Sequence, residues 1–126
     1  MHERDLTSQT LGIQLDDVTL GRATVHMTIA DTMVNQHGIA HGGFIFLLAD
    51  AAFAYACNSY GPVTVAQSAQ VTFVQPVRAG DELYAEAVER GRFGRNGIYD
   101  VTVRRGDKVV AEFRGHSVQI GATPND

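Results

Sequence analysis

A chain of 126 residues with 44% hydrophobic and 19% charged residues fits one compact domain over residues 1–126 and excludes a disordered chain. The net charge of -4 and the lack of any run of Lys or Arg argue against nucleic acid as the main partner, because neutralised phosphates dominate that affinity. The longest apolar stretch, residues 39–57, contains His41, two adjacent glycines and Asp50, which argues against a membrane span.

The first third of the chain predicts a short helix and a β-hairpin. Residues 4–11 show a short helical pattern, with Asp5 or Thr7 available as the N-cap. Apolar and polar residues then alternate on both sides of Gly21, which predicts two short strands joined at a glycine turn. Residues 31–41 follow neither period and predict a loop of the kind that often carries functional residues.

The centre of the chain predicts one long and unusually apolar helix. Residues 43–59 contain no proline, no glycine after the first residue and many good helix formers, and Gly61-Pro62 ends the segment. At about 1.5 Å per residue, such a helix is roughly 25 Å long. Its polar face is almost absent, and a helix that is apolar on nearly every side must be covered by other structure.

The last half of the chain predicts β-strands. Four runs of period two follow the helix, at residues 63–74, 82–93, 97–105 and 108–120, and turns containing Gly or Pro separate them. The runs predict an antiparallel meander, and residues 121–126 a polar tail. One buried helix before several strands predicts an α+β fold in which a curved sheet wraps the helix. A helix laid on one face of a sheet has the same order of elements.

The unusual residue of the helix is Asp50, which lies within a run of leucines and alanines. Asp is unfavourable in a helix interior, and an ionised carboxylate kept from water without partners is costly. Burial tends to raise the pKa of such a group, and carboxylates with perturbed pKa values gather at active sites. The pattern fits a functional carboxylate. It fits equally an Asp on a solvated stripe of the helix, or one paired with an arginine.

A second feature, His41-Gly42-Gly43, lies where the helix begins. Unpaired N–H groups at a helix N-terminus carry partial positive charge, and glycine lets a ligand approach them closely. Such a place suits a bound phosphate, or the oxyanion that develops when a carbonyl is attacked. A tight turn that needs glycine conformations gives the same sequence.

The spacing of these two features predicts a dimer. Asp50 lies seven residues beyond Gly43, or about 10 Å along the helix axis. A base and an oxyanion donor that serve one carbonyl must both come within about 3 Å of the reacting atoms, which one chain cannot easily arrange. Two antiparallel copies of the helix about a two-fold axis would bring Asp50 of one chain near Gly42 and Gly43 of the other.

Six blocks of sequence carry a resemblance to a known family: residues 35–43 (NQHGIAHGG), 48–50, 52–59, 74–81 (VQPVRAGD), 97–101 and 113–117. They resemble the corresponding blocks of the PaaI-type hotdog thioesterases, and the similarity covers nearly the whole chain. It implies the hotdog fold, an antiparallel sheet wrapped around one long central helix, in homodimers paired edge to edge and often assembled into homotetramers. It also implies hydrolysis of aryl-acyl-CoA thioesters, such as phenylacetyl-CoA and its ring-hydroxylated relatives, in phenylacetate catabolism.

The resemblance also implies roles for particular residues. Asp50 matches the family's catalytic acid, Gly42 the backbone donor to the thioester carbonyl, and Asn35 the polar residue near the attacking water. His41 matches the adjacent supporting histidine. Gln36 stands where the family often has glycine, a loop difference that we do not expect to affect the chemistry.

The hypothesis for the reaction needs few groups. Asp50 acts as general base toward water, or attacks the carbonyl itself to give a mixed anhydride, while the Gly42 amide stabilises the oxyanion. Because thiolate leaves readily, we expect neither a metal nor a cofactor. Two alternatives remain open, since a fold does not fix a function: a hotdog enoyl-CoA hydratase, and a non-catalytic hotdog protein that only binds acyl-CoA.

The candidates for substrate binding are the second glycine of the helix start and four basic side chains that could meet the phosphates of CoA: Gly43, Arg78, Arg95, Arg114 and His116. Solvated charges at turns and strand ends give the same pattern.

The remaining reactive side chains carry little signal. Cys57 lies in an alanine-rich segment, where we expect a buried inert thiol, and the histidines show no spacing suited to zinc. A single cysteine cannot form an internal disulfide, and residues 1–5 lack a signal-peptide pattern. We therefore expect a cytoplasmic protein.

Overall fold

The computed structural model describes residues 5–121. The elements in chain order are α1 (Leu6–Leu11), β1 (Gln14–Thr19), β2 (Arg22–Thr28), α2 (Gly42–Cys57), β3 (Thr64–Phe73), β4 (Glu82–Phe93), β5 (Asn96–Arg105) and β6 (Lys108–Gln119). The predicted N-cap at Asp5 is confirmed, because its carboxylate accepts a hydrogen bond of 3.0 Å from the Ser8 amide. Residue 4 and residues 122–126 of the predicted polar tail lie outside the described residues.

Helix α2 ends two residues before the predicted boundary, at Cys57. The side chain of Asn58 explains this ending. Its amide nitrogen donates to the carbonyl oxygens of Ala54 and Thr64, both at 2.9 Å, and its oxygen accepts from the Thr64 amide at 2.9 Å. Asn58 therefore satisfies the last turn of α2 and ties it to the first residue of β3.

The six strands form one antiparallel sheet in the order β1-β2-β4-β5-β6-β3. The prediction of a four-stranded meander is wrong at one strand. Strands β4, β5 and β6 do follow one another, but β3 pairs with β6, and β4 pairs with β2. The reason is the path of α2, which carries the chain across the sheet so that β3 starts at the far edge.

Helix α2 packs on one face of this sheet and contacts all six strands, as a sheet curved around a helix requires. The ring of Phe53, which is fully buried, packs edge-on against Tyr99 at 5.6 Å and lies 5.8 Å from the ring of Phe113. Gly115 of β6 makes room for it, since a Cβ atom there would lie 2.5 Å from Cε1 of Phe53. The expectation of a covered central helix is confirmed on this side.

Gly115→Ala is expected to lower the free energy of unfolding by about 1–3 kcal/mol, because the added methyl group would overlap the buried Phe53 ring. Urea denaturation followed by circular dichroism measures the change. Gly43→Ala is the control, because nothing lies within 4 Å of its added Cβ and Ala is the better helix former. An unchanged stability for Gly115→Ala would show that Phe53 is not held against Gly115.

Candidate active site

Asp50 lies on the face of α2 that the sheet does not cover. Its neighbours Leu48, Ala49 and Ala52 are fully buried, whereas Asp50 is half-buried. It belongs to a stripe of partly or fully exposed residues, which we call the open stripe: Gly43, Leu47, Asp50, Ala51 and Ala54. Apart from Asp50 the open stripe is nonpolar, so the carboxylate has no polar neighbours on its own helix face.

The Asp50 carboxylate accepts no hydrogen bond and forms no ion pair within residues 5–121. The suggested pairing with an arginine is therefore not what the structure shows. Burial, and then the negative charge of Asp5 at the start of α1, raise the pKa of Asp50 above its usual value of 3.8. An unpaired carboxylate with a raised pKa is suited to accepting a proton.

The start of α2 presents two free amides. His41 is the N-cap, in an extended conformation with φ -65° and ψ 135°, and its side chain makes no capping bond. In the part of the chain that the structure describes, the amides of Gly42 and Gly43 donate to no acceptor. They stand at the positive end of the helix dipole and can accommodate an anion or a carbonyl oxygen.

The loop before α2 is shaped by Asn35. Its side-chain oxygen accepts from the amides of His37 at 2.9 Å and Ile39 at 3.1 Å, and its carbonyl oxygen accepts from Gly38 at 2.9 Å. The loop is anchored to the fold by the Ala40 amide, which donates to Val77 at 2.7 Å. The side-chain amide nitrogen of Asn35 makes no hydrogen bond within the described residues and is left free to donate.

Of the four basic candidates, only Arg78 lies at this loop. Its Nη1 atom is 3.5 Å from the carbonyl oxygen of His37, and its backbone forms a β-bridge with Ile39. Arg95 lies in the β4–β5 turn and lines a cleft with Cys57, at the opposite end of α2. Within this chain the structure therefore separates Arg95 from the helix start.

Arg114 and His116 occupy the face of the sheet that points away from α2, where they line one cleft beside β3. The Arg114 guanidinium donates to both carboxylate oxygens of Asp100, at 2.6 and 2.9 Å. Arg90 donates to the same carboxylate at 2.8 Å. The bonds from Arg114 hold the pKa of Asp100 below its usual range, so this guanidinium is already engaged by an anionic group of the protein.

Cys57 is buried at the end of α2, and burial raises the pKa of its thiol to about 12. The thiol is therefore protonated at neutral pH and is a poor nucleophile.

Among residues 5–121, no three His, Cys, Asp or Glu side chains lie close enough together to hold a metal ion. No helix in the same range is long and apolar enough to cross a membrane.

Two neighbours of the site were not found from the sequence. The ring of Phe73, at the end of β3, lies against Gly42, and Asp5 lies near enough to Asp50 to affect its pKa. Both are far from their partners along the chain, and neither stands in a motif. The sequence identified Phe73 only as a strand residue and Asp5 only as a helix cap.

A family model of the thioesterase superfamily matches residues 37–112 of the chain, which is more than half of its length. The chain belongs to the thioesterase superfamily. It is 44% identical over 124 residues to the acyl-coenzyme A thioesterase PaaI of Escherichia coli, an alignment that covers 98% of this chain and 89% of that protein.

Solved structures agree with this assignment. The structure of the E. coli PaaI protein from the phenylacetic acid degradation operon matches with a TM-score of 0.95 and covers 98% of this chain and 90% of that chain. A mutant of the PaaI protein of Thermus thermophilus, 36% identical, matches with a TM-score of 0.89 over 92% of this chain and 100% of that one. The chain is thus a PaaI-type thioesterase with the hotdog fold, and it is an enzyme that hydrolyses thioesters. The roles of Asp50, Gly42, Asn35 and His41 stay predictions.

Asp50→Asn is expected to raise the melting temperature of this thioesterase at neutral pH. An acid whose pKa is higher in the folded chain than in the unfolded chain stabilises the fold at low pH, and this contribution is lost as the pH rises through the folded-state pKa. The difference between variant and wild type should therefore grow from about pH 3 to pH 8. Differential scanning calorimetry across this range measures it.

Asp107→Asn is the matched control, since it removes one negative charge from an exposed turn. A gain in melting temperature for Asp50→Asn that does not change with pH, or that Asp107→Asn reproduces, would contradict the raised pKa.

Proposed function

We propose that this thioesterase hydrolyses aryl-acyl-CoA thioesters, such as phenylacetyl-CoA or hydroxyphenylacetyl-CoA, to the free acid and CoA. The observation that carries the proposal is an unpaired, half-buried carboxylate on the same helix as two unpaired N-terminal amides. The relatives support the substrate class, since E. coli PaaI is named an acyl-coenzyme A thioesterase and comes from the phenylacetic acid degradation operon.

The distance between the two groups supports a site that is shared with a second copy of the chain. Gly42 and Asp50 are eight residues apart on α2, or about 12 Å along its axis. One thioester carbonyl cannot easily come within about 3 Å of both groups of a single chain. The carboxylate that serves the Gly42 amide of one chain therefore comes from the partner.

Strand β3 offers the surface for this pairing. It is an edge strand of ten residues, TVAQSAQVTF, with no charged residue or proline, and almost all of it is exposed. Long uncharged edge strands are templates for pairing with another chain. Since Phe73 of β3 contacts Gly42, the start of α2 lies close to this edge.

Edge-to-edge pairing of two β3 strands about a two-fold axis sets two α2 helices side by side and antiparallel. The open stripe then gains a cover, and Asp50 of each chain approaches Gly42 of the other. Two such dimers would form the homotetramer that is part of the same proposal.

We place the enzyme in the cytoplasm, where a single unpaired Cys57 agrees with a reducing environment.

In the proposed reaction the thioester oxygen accepts hydrogen bonds from the Gly42 and Gly43 amides, which stabilise the negative charge that develops on it. Asp50 of the partner chain removes a proton from water, and the water oxygen attacks the carbonyl carbon. The C–S bond breaks and CoA leaves as thiolate, which takes up a proton. In the second version Asp50 attacks the carbon itself, and water then hydrolyses the mixed anhydride. We assign the orientation of this water to the free side-chain amide of Asn35 and to the exposed His41, as the resemblance implies.

Asp50→Asn is expected to lower kcat for phenylacetyl-CoA by about 10²–10⁴-fold, because the amide cannot act as a base or nucleophile. A thiol-trapping dye measures the release of CoA, and light scattering checks that the mass of the assembly is unchanged. Asp107→Asn, with the same change at an exposed turn, should keep its activity. Near-normal release of CoA by Asp50→Asn would refute the assignment.

Mixing two inactive variants tests the shared site. Gly42→Pro removes the amide hydrogen at the first helical position, where the backbone accepts proline. Both variants also carry Phe73→Ala, because the Phe73 ring would overlap any side chain at position 42. A mixed dimer of the Gly42→Pro chain with the Asp50→Asn chain contains one site with both changes and one site with Gly42 and Asp50 intact. Random exchange should restore about a quarter of the activity of Phe73→Ala alone. If each chain used its own Asp50 and Gly42, no mixture would recover activity.

A further inference from the structure

The ring of Phe73 takes the place that a side chain at position 42 would occupy. A Cβ atom built on Gly42 would lie 2.6 Å from Cζ and 3.0 Å from Cε2 of this ring. The backbone of Phe73 is held in the sheet by pairing with Ala111 of β6, while the side chain is 49% exposed. The ring is therefore anchored beside the helix start and keeps one surface free.

An apolar cleft opens next to this ring. It is lined by the buried residues Ala40, Ile45 and Val77 and by the more exposed Ile39 and Phe73. Gln75 is the only polar side chain that lines it within the described residues. The cleft reaches Gly42, so a carbonyl bound at the Gly42 amide would have its substituents at the cleft entrance.

The acyl branch and the CoA branch of a thioester bound at Gly42 differ in polarity and suit different surroundings. The acyl branch is apolar, whereas the CoA branch carries amides and phosphates and is better placed near a cation such as Arg78, which contacts the loop before α2. The apolar cleft therefore suits the acyl branch. A flat aryl group in it would meet the free face or edge of the Phe73 ring, in the offset or edge-on arrangement that aromatic pairs favour.

We propose that Phe73 is a specificity-determining residue, whose ring forms one wall of the acyl cleft and favours aryl over straight-chain acyl groups. The inference rests on the proposed function, in which the thioester oxygen binds at Gly42. It adds the part of the protein that recognises the acyl group. Glycine at position 42 then has two roles: it lets the substrate approach the helix amides closely, and it lets the Phe73 ring reach the reaction centre.

The chain contains a matched control for this contact. Phe93, at the end of β4, lies on Gly91 in the same way, with its Cζ 2.7 Å from a Cβ built on that glycine. Its side chain is also exposed, and it precedes the β4–β5 turn, which lies at the opposite end of α2. A change at Phe93 therefore removes the same kind of ring from a glycine without touching the cleft.

The test compares phenylacetyl-CoA with hexanoyl-CoA, whose acyl group is of similar size but has no ring. In Phe73→Leu, which keeps the apolar bulk, the ratio of kcat/KM for the two substrates should fall about three- to tenfold, the value of one aromatic contact. Phe73→Tyr should retain the ratio, and Phe93→Leu should leave it unchanged. Light scattering and circular dichroism check that assembly and fold are the same in all three variants.

The inference is overturned if Phe73→Leu changes both substrates equally, or if Phe93→Leu lowers the ratio as much. Unreactive thioether analogues of the two substrates separate this outcome from a failure of the proposed reaction. If the wild type releases no CoA from either substrate, the proposed hydrolysis is wrong. Calorimetry still decides the role of Phe73: weaker binding of the phenylacetyl analogue alone in Phe73→Leu supports it, and equal binding by variant and wild type refutes it.

Discussion

One constraint governs this molecule: α2 is apolar on nearly every side, and the sheet of its own chain covers only one of them. The covered side is held by aromatic packing of Phe53 against β5 and β6. The open stripe, on the other side, is largely apolar and is not buried. A small domain has little other structure with which to cover it. The second copy proposed for catalysis would thus also meet a need of the fold.

The same constraint explains why a carboxylate in the helix has value. On a polar helix face Asp50 would find water or a cation, and its pKa would stay low. On the open stripe it has no cation beside it within the described residues and is half removed from solvent, and burial together with the charge of Asp5 disfavours ionisation. The unpaired carboxylate lowers the stability of the fold, but it provides a group that can take up a proton. Enzyme sites commonly combine such a loss of stability with a gain in activity.

Local patterns were enough to predict α2, the hairpin at Gly21 and the strands, because periodicity and turn residues act over short distances. The position of β3 beside β6 was not predictable in this way, since it depends on where α2 delivers the chain. The resemblance gave the family, the fold and the residues at the helix start. The contact of Phe73 with Gly42 and the pairing of Arg114 with Asp100 arise between separate strands or elements, and single-sequence patterns carry no signal for them.

Because Cys57 is buried, its rate of chemical labelling reports on local opening of the fold at the end of α2. With a thiol that is 4% exposed and has a pKa of about 12, and with no other cysteine in the chain, alkylation is slow in the closed molecule and becomes fast when that end of the helix leaves the sheet. The increase in the rate of labelling then follows the local opening of the fold. For the same reason, oxidants that inactivate thiol enzymes are expected to react slowly with this thiol in the closed molecule.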